Sequence, residues 1–73
     1  MSRKEYHVVP NGDGWKVEHG GRSVGTHDTK HAAVEAGRQV ARDNQPSQLV
    51  VHTADGKIET EHTYQDDPFP PAG

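Results

Sequence analysis

The chain contains no cysteine. That absence removes disulfide staples and thiolate metal sites together, and nothing else in the composition speaks for an oxidising compartment. A cytoplasmic location is the default expectation. Large apolar side chains are scarce as well, with one tryptophan, one phenylalanine and one methionine in 73 residues and an apolar share of 29%. A domain this short hides only roughly 60% of the surface its unfolded chain exposes, so a thin core should leave it marginally stable and served by a partner. No apolar run approaches the length of a membrane span, and the opening "MSRKEYHVV" lacks the apolar segment of an export signal. The expectation is a soluble, unexported protein with no membrane partner. An excess of positive charge is also missing. Eight Lys and Arg against eleven Asp and Glu give a net charge of -3, which disfavours nucleic acid unless the basic residues gather on one face.

What is present is periodicity. "EYHVV", "WKVEH" and "RSVGTH" alternate apolar and polar residues and are separated by "PNGDG" and "GG", which predicts an antiparallel three-strand meander over residues 5–27. Pairing His19 with Arg22 sets Val17 opposite Val24 and Trp15 opposite Thr26. A four-residue loop at "PNGD" sets Val8 opposite Trp15 and Tyr6 opposite Val17. Both turns place Tyr6, Val8, Trp15, Val17 and Val24 on one face, the agreement expected of a sheet with one buried side. His7, Lys16, Glu18, Ser23 and Gly25 fall on the other.

"DTKHAAVEAGRQVARDN" then carries Ala33, Gly37, Val40 and Ala41 at helical spacing, with Thr29 or Asp28 able to accept the free amide hydrogens of the first turn. The spacing predicts a helix from Lys30 to Asp43, ended by Asn44 in a left-handed conformation and kept from resuming by Pro46. Its buried stripe of small residues suits close approach to a sheet.

"LVVHTADGKIETEHTY" reads as a second hairpin around Asp55-Gly56. A two-residue loop puts Leu49, Val51 and Thr53 on one face with Ile58, Thr60, His62 and Tyr64. A three-residue loop with a bulge at Gly56 would instead set Leu49 and Val51 beside Glu59 and Glu61, so the two-residue loop is preferred. In that register His52 stands opposite Glu59 on the outer face and His62 lies beside Leu49 on the inner one. The two histidines therefore point apart.

Six histidines invite a search for a site. His27 and His31 straddle the helix start and lack fixed helical spacing, and no "HExxH" occurs. His7, His27 and His52 can share the outer face, where a transition-metal site is conceivable because imidazole suits Zn, Cu and Ni. The plainer reading is that these are ordinary strand histidines, since a zinc centre needs three or four converging ligands. Ser2, Ser23 and Ser47 fall in a terminus, an exposed strand and a loop, without the base and orienting group that activate a nucleophile. The glycines of "NGDG" and "GG" are explained by tight turns rather than by a phosphate cradle. No residue is assigned a catalytic, cofactor-binding or metal-ligating role, no cofactor is implied, and an enzyme is not expected.

A meander followed by a helix is also the layout of some domains that lay a sheet in the DNA major groove. Here the exposed members include Glu5, Glu18 and a single lysine, Lys16, while Arg3, Lys4, Arg22, Lys30, Arg38 and Arg42 are dispersed. Glu35 lies beside Arg38 and Gln39 as ordinary helix neighbours. "PFPP" has polyproline spacing but no flanking basic residue, so Phe69 docking on the body or a plain tail is the simpler reading. The division expected is a flexible arm over residues 1–4, a single domain over 5–64 and an acidic, proline-rich tail over 65–73.

The ordered set "YHVVP", "GWKVE", "HDTKHAAVEAGRQVA", "LVVHTADGKIETEHTY" and "DPFPP" resembles the DUF 2188 family of short uncharacterised bacterial proteins. The resemblance spans nearly the whole chain and implies a compact α+β unit with no assigned activity, cofactor or substrate. A departure lies at Ala32, where an acidic residue would have completed a capping box.

The expectation for the fold is therefore an α+β domain, an antiparallel βββαββ with one helix on the apolar sheet face. For function it is a small non-catalytic interaction module forming a homo-oligomer, most simply a dimer, through free strand edges. Nucleic-acid binding through the sheet face or helix arginines is the alternative, and histidine-based metal or pH sensing stands below it.

Overall fold

A computed structural model describes residues 4–65. In chain order it contains β1 (Lys4–Asn11), β2 (Gly14–His19), β3 (Arg22–His27), α1 (Lys30–Asp43), β4 (Ser47–His52) and β5 (Ile58–Tyr64). The N-terminal arm before Lys4 and the tail with Phe69 and "PFPP" lie outside the described residues.

The first turn is tighter than its sequence suggested. Gly12, at φ 60°, opens a two-residue loop in which Asn11 faces Gly14, the II′ arrangement that calls for glycine at its first position. Val8 consequently faces Val17 and Tyr6 faces His19, not Trp15 and Val17. A shift of two residues leaves every side chain on its expected face. At the second turn Gly20 and Gly21 both have positive φ, 62° and 80°, and His19 faces Arg22 as the I′ reading requires.

Beyond that turn the register slips. Glu18 faces Ser23 but Val17 faces Gly25, so Val24 is an unpaired bulge residue and Trp15 lies opposite His27. The expected pairs Val17 with Val24 and Trp15 with Thr26 are both displaced by one. Val24 is 51% exposed rather than part of the core, and Gly25 joins the face of Val17.

The β4–β5 hairpin contains the same device. At its tip Thr53 N–H donates to the Lys57 carbonyl at 2.7 Å and Gly56, at φ 90°, closes a turn onto the Thr53 carbonyl at 2.9 Å. This is the three-residue loop, not the two-residue loop preferred on burial grounds. A second irregularity, between Val51 and His52, absorbs the slip at Glu59, so Val51 still faces Thr60 and Leu49 still faces His62. His52 faces Ile58 instead of Glu59, and Ile58 is 58% exposed.

The sheet order is β3-β2-β1-β4-β5, and β1 pairs with β4 in parallel. The α+β class holds, but the sheet is mixed and not antiparallel throughout. Tight turns force neighbouring strands to run in opposite directions, whereas β4 enters after a helical crossover long enough to bring it back alongside β1 in the same direction. β1 therefore occupies the centre.

The helix begins where Thr29 Oγ1 accepts the Ala32 N–H at 3.1 Å, and its first turn carries no acidic residue. Asn44 ends it differently from expectation. Its φ is -127°, and it closes the last turn by donating its side-chain amide to the Val40 carbonyl at 2.7 Å and its backbone N–H to Ala41. Ser47 is the first residue of β4 rather than a loop serine, and its buried hydroxyl donates to the Ala41 carbonyl.

Ala33, Gly37 and Ala41 face the sheet. A Cβ on Gly37 would lie 2.8 Å from Leu49 Cδ1, which shows how close the two layers run. Tyr6, Val8, Val17, Leu49 and Val51 complete the core, flanked by Trp15, Val34, Val40 and Tyr64. The helix packs across β1, β2, β3 and β4. It reaches β5 through an ion pair from Lys30 to Glu59, with the Lys30 ammonium 5.5 Å from the Trp15 ring centroid.

Candidate functional site

The face of the sheet opposite the helix carries no second layer among the described residues. Alternation places Glu5, His7 and Val9 of β1 there, because Tyr6 and Val8 are buried under the helix. Lys16 and Glu18 of β2, Gln48, Val50 and His52 of β4, and Glu61 of β5 share the face by the same argument. One row crosses four strands, with Glu18 beside His7, His7 beside Val50 and Val50 beside Glu61. Val50 is 4% exposed although no layer covers it, so its polar neighbours shield it. Gln48 donates to Glu61 at 2.7 Å and Lys16 pairs with Glu18 at 3.0 Å on either side.

The parallel pairing of β1 with β4 brings two histidines into contact. His7 Nδ1 lies 3.0 Å from His52 Nε2, with ring centroids 5.3 Å apart and ring planes at 30°. The rings therefore meet nitrogen to nitrogen rather than face to face. His7 Nε2 is 3.2 Å from Glu5 Oε1, and His52 Nδ1 is 3.4 Å from the Gly56 carbonyl. The result is a continuous chain from Glu5 through both rings to the hairpin turn.

His27, expected on the same face, is not there. The bulge at Val24 sets it opposite Trp15 on the helix side. The expected cross-strand pair of His52 with Glu59 is also absent, since Glu59 turns to Lys30. His62 lies beside Leu49 as the register required. His19 stacks on Tyr6 at 4.6 Å and donates its Nδ1 proton to the Glu5 carbonyl at 3.0 Å, a structural role. His31 is exposed in the first helical turn. Among the described residues no three His, Asp or Glu side chains converge to hold a metal ion, and Ser23 and Ser47 have no base positioned for nucleophilic chemistry. The contact between His7 and His52 was half visible in the sequence, as a shared face. Its closeness depends on a strand pairing that no turn announces.

The family of uncharacterised proteins conserved in bacteria, DUF2188, matches over residues 6–64. The chain belongs to the DUF2188 family. That match begins at Tyr6 of β1 and ends at Tyr64 of β5, so it takes in every element described above. The chain is also 36% identical over 64 residues to the uncharacterised protein YycD of Bacillus subtilis (strain 168), covering 84% of this chain and 97% of that protein. No solved structure matches it. This DUF2188 chain has no helix, among the described residues, that is long and apolar enough to cross a membrane.

Proposed function

We propose that this DUF2188 domain is a non-catalytic interaction module that self-associates through the free edge of β5. The observation that carries the reading is the position of that strand. It is seven residues long, lies at the end of the sheet, and is exposed at five of its seven positions. An open row of backbone N–H and C=O groups is a template for another strand. The opposite edge is less suitable, since β3 lies under the helix, whereas β5 reaches the helix through the Lys30–Glu59 ion pair.

Charge selects a register for two antiparallel copies of β5. Centring on Glu61 sets the two Glu61 carboxylates opposite each other, and centring on Thr60 sets Glu59 opposite Glu61. Like charges directly opposed are destabilising. Centring on His62 instead places Glu61 opposite Thr63 and Thr60 opposite Tyr64, and continues the sheet with both helices on one side. Sedimentation velocity across a concentration series should then show a dimer, and the His62→Cys variant should cross-link to itself under mild oxidation. A well-folded monomer at several hundred micromolar would overturn the reading.

Nucleic-acid binding has weaker support. The open sheet face presents Glu5, Glu18 and Glu61 around Lys16, and Arg38 lies 3.7 Å from Glu35 on the helix. Absence of any DNA or RNA mobility shift at low ionic strength would end that alternative.

A further inference from the structure

We infer that His7 and His52 form a two-histidine site for a divalent transition metal of the Cu2+, Ni2+ or Zn2+ class. The argument starts from the outward nitrogens. Glu5 Oε1 and the Gly56 carbonyl oxygen only accept hydrogen bonds, so His7 Nε2 and His52 Nδ1 must each carry a proton to satisfy them. A neutral imidazole has one N–H. Once both are used in this way, the inward nitrogens, His7 Nδ1 and His52 Nε2, present lone pairs to each other across 3.0 Å.

Two lone pairs at that distance repel, and a cation between them converts the repulsion into a bond at each end. A metal does so by ligation. Two ring nitrogens at about 2.0–2.1 Å from one ion lie roughly 2.9 Å apart in cis positions of a square-planar ion and roughly 3.3 Å apart on a tetrahedral one, and the 3.0 Å already present falls between them. Metal entry requires the rings to turn until their lone pairs converge off the line between them.

The surroundings match those of ligating histidines. Such rings donate their second N–H to a carboxylate or a backbone carbonyl, which fixes the tautomer and raises ligand basicity. Here Glu5 serves His7 and Gly56 serves His52. Glu18 flanks His7 across the strand pair and Glu61 lies beyond Val50, with Lys16 the positive group on this part of the face. The His7 side chain is 33% exposed, so the site is reachable. Two protein ligands leave open positions for water, and among the three metals the order of affinity for imidazole nitrogen places Cu2+ first.

The test uses the full chain and Cu2+ alone. Calorimetry at neutral pH should show a single strong equivalent, and electron paramagnetic resonance should show two imidazole nitrogens on the copper. His52→Gln and His7→Gln should each weaken binding at least tenfold, with circular dichroism confirming the fold. His31→Gln should leave it unchanged. Glu5→Gln should weaken it several-fold. Equal affinity in His52→Gln and the parent chain, or a copper spectrum with fewer than two imidazole nitrogens, overturns the proposal.

Discussion

Val8 and Ile58 are both branched aliphatic residues on strands of one sheet, yet Val8 is 0% exposed and Ile58 is 58% exposed. Val8 belongs to β1, which is paired on both sides and roofed by the helix, whereas Ile58 opens β5, an edge strand beyond the helix, and the bulge at Glu59 sets it opposite His52 on the open face. The contrast teaches that an apolar residue on a well-patterned strand is buried only where neighbours cover it, the helix over Val8 on one face and flanking polar side chains around Val50 on the other, and Ile58 has neither. A single helix covers about its own width of sheet, roughly 10 Å, which is two or three strand spacings. This sheet has five strands, so one ribbon is left over.

Five substitutions would break or sharpen that contrast. Leu49→Ala, beneath the helix and fully buried, should cost about 2–5 kcal/mol. In a domain whose whole stability is of the order of 5 kcal/mol, urea titration should find little folded protein left. Gly14→Ala comes next. A Cβ there would lie 2.5 Å from the His27 carbonyl oxygen, which is backbone and cannot swing aside, so a loss of about 1–3 kcal/mol is expected from the same titration. Thr29→Ala removes the acceptor for Ala32 N–H and should lower stability by about 1 kcal/mol, read as a fall in the thermal midpoint. At the other pole, Ile58→Thr and Val24→Thr should each change stability by less than about 0.5 kcal/mol. If Ile58→Thr proved as costly as Leu49→Ala in a chain held monomeric by dilution, the left-over ribbon would have to be covered by something besides the helix.

Local signals in the sequence carried the elements and faces. The helix bounds follow from Thr29, the apolar spacing and Asn44, and the faces of Tyr6, Val8, Val17, Leu49 and Val51 follow from alternation. Two kinds of feature were not legible. The parallel pairing of β1 and β4 joins segments about forty residues apart with no turn between them to fix direction or register. The bulges at Val24 and Glu59 occur at residues without the glycine that would flag a left-handed bulge position, so extrapolating from the turns carried Val24 and Ile58 into a core they do not reach. The candidate site suffered from the first gap. A shared face for His7 and His52 was readable, but their separation was set by the one pairing that only the folded chain reveals, and the Val24 bulge removed His27 from the group.

The seam between helix and sheet has a fixed width, because Gly37 leaves room for the branched end of Leu49 and one methyl of Val8 and for nothing more. Bulk at Gly37 and Leu49 should therefore be exchangeable but not cumulative. Relatives with alanine or serine at the helical position should carry a shorter side chain on the facing strand, and a chain that enlarges both should push its two layers apart.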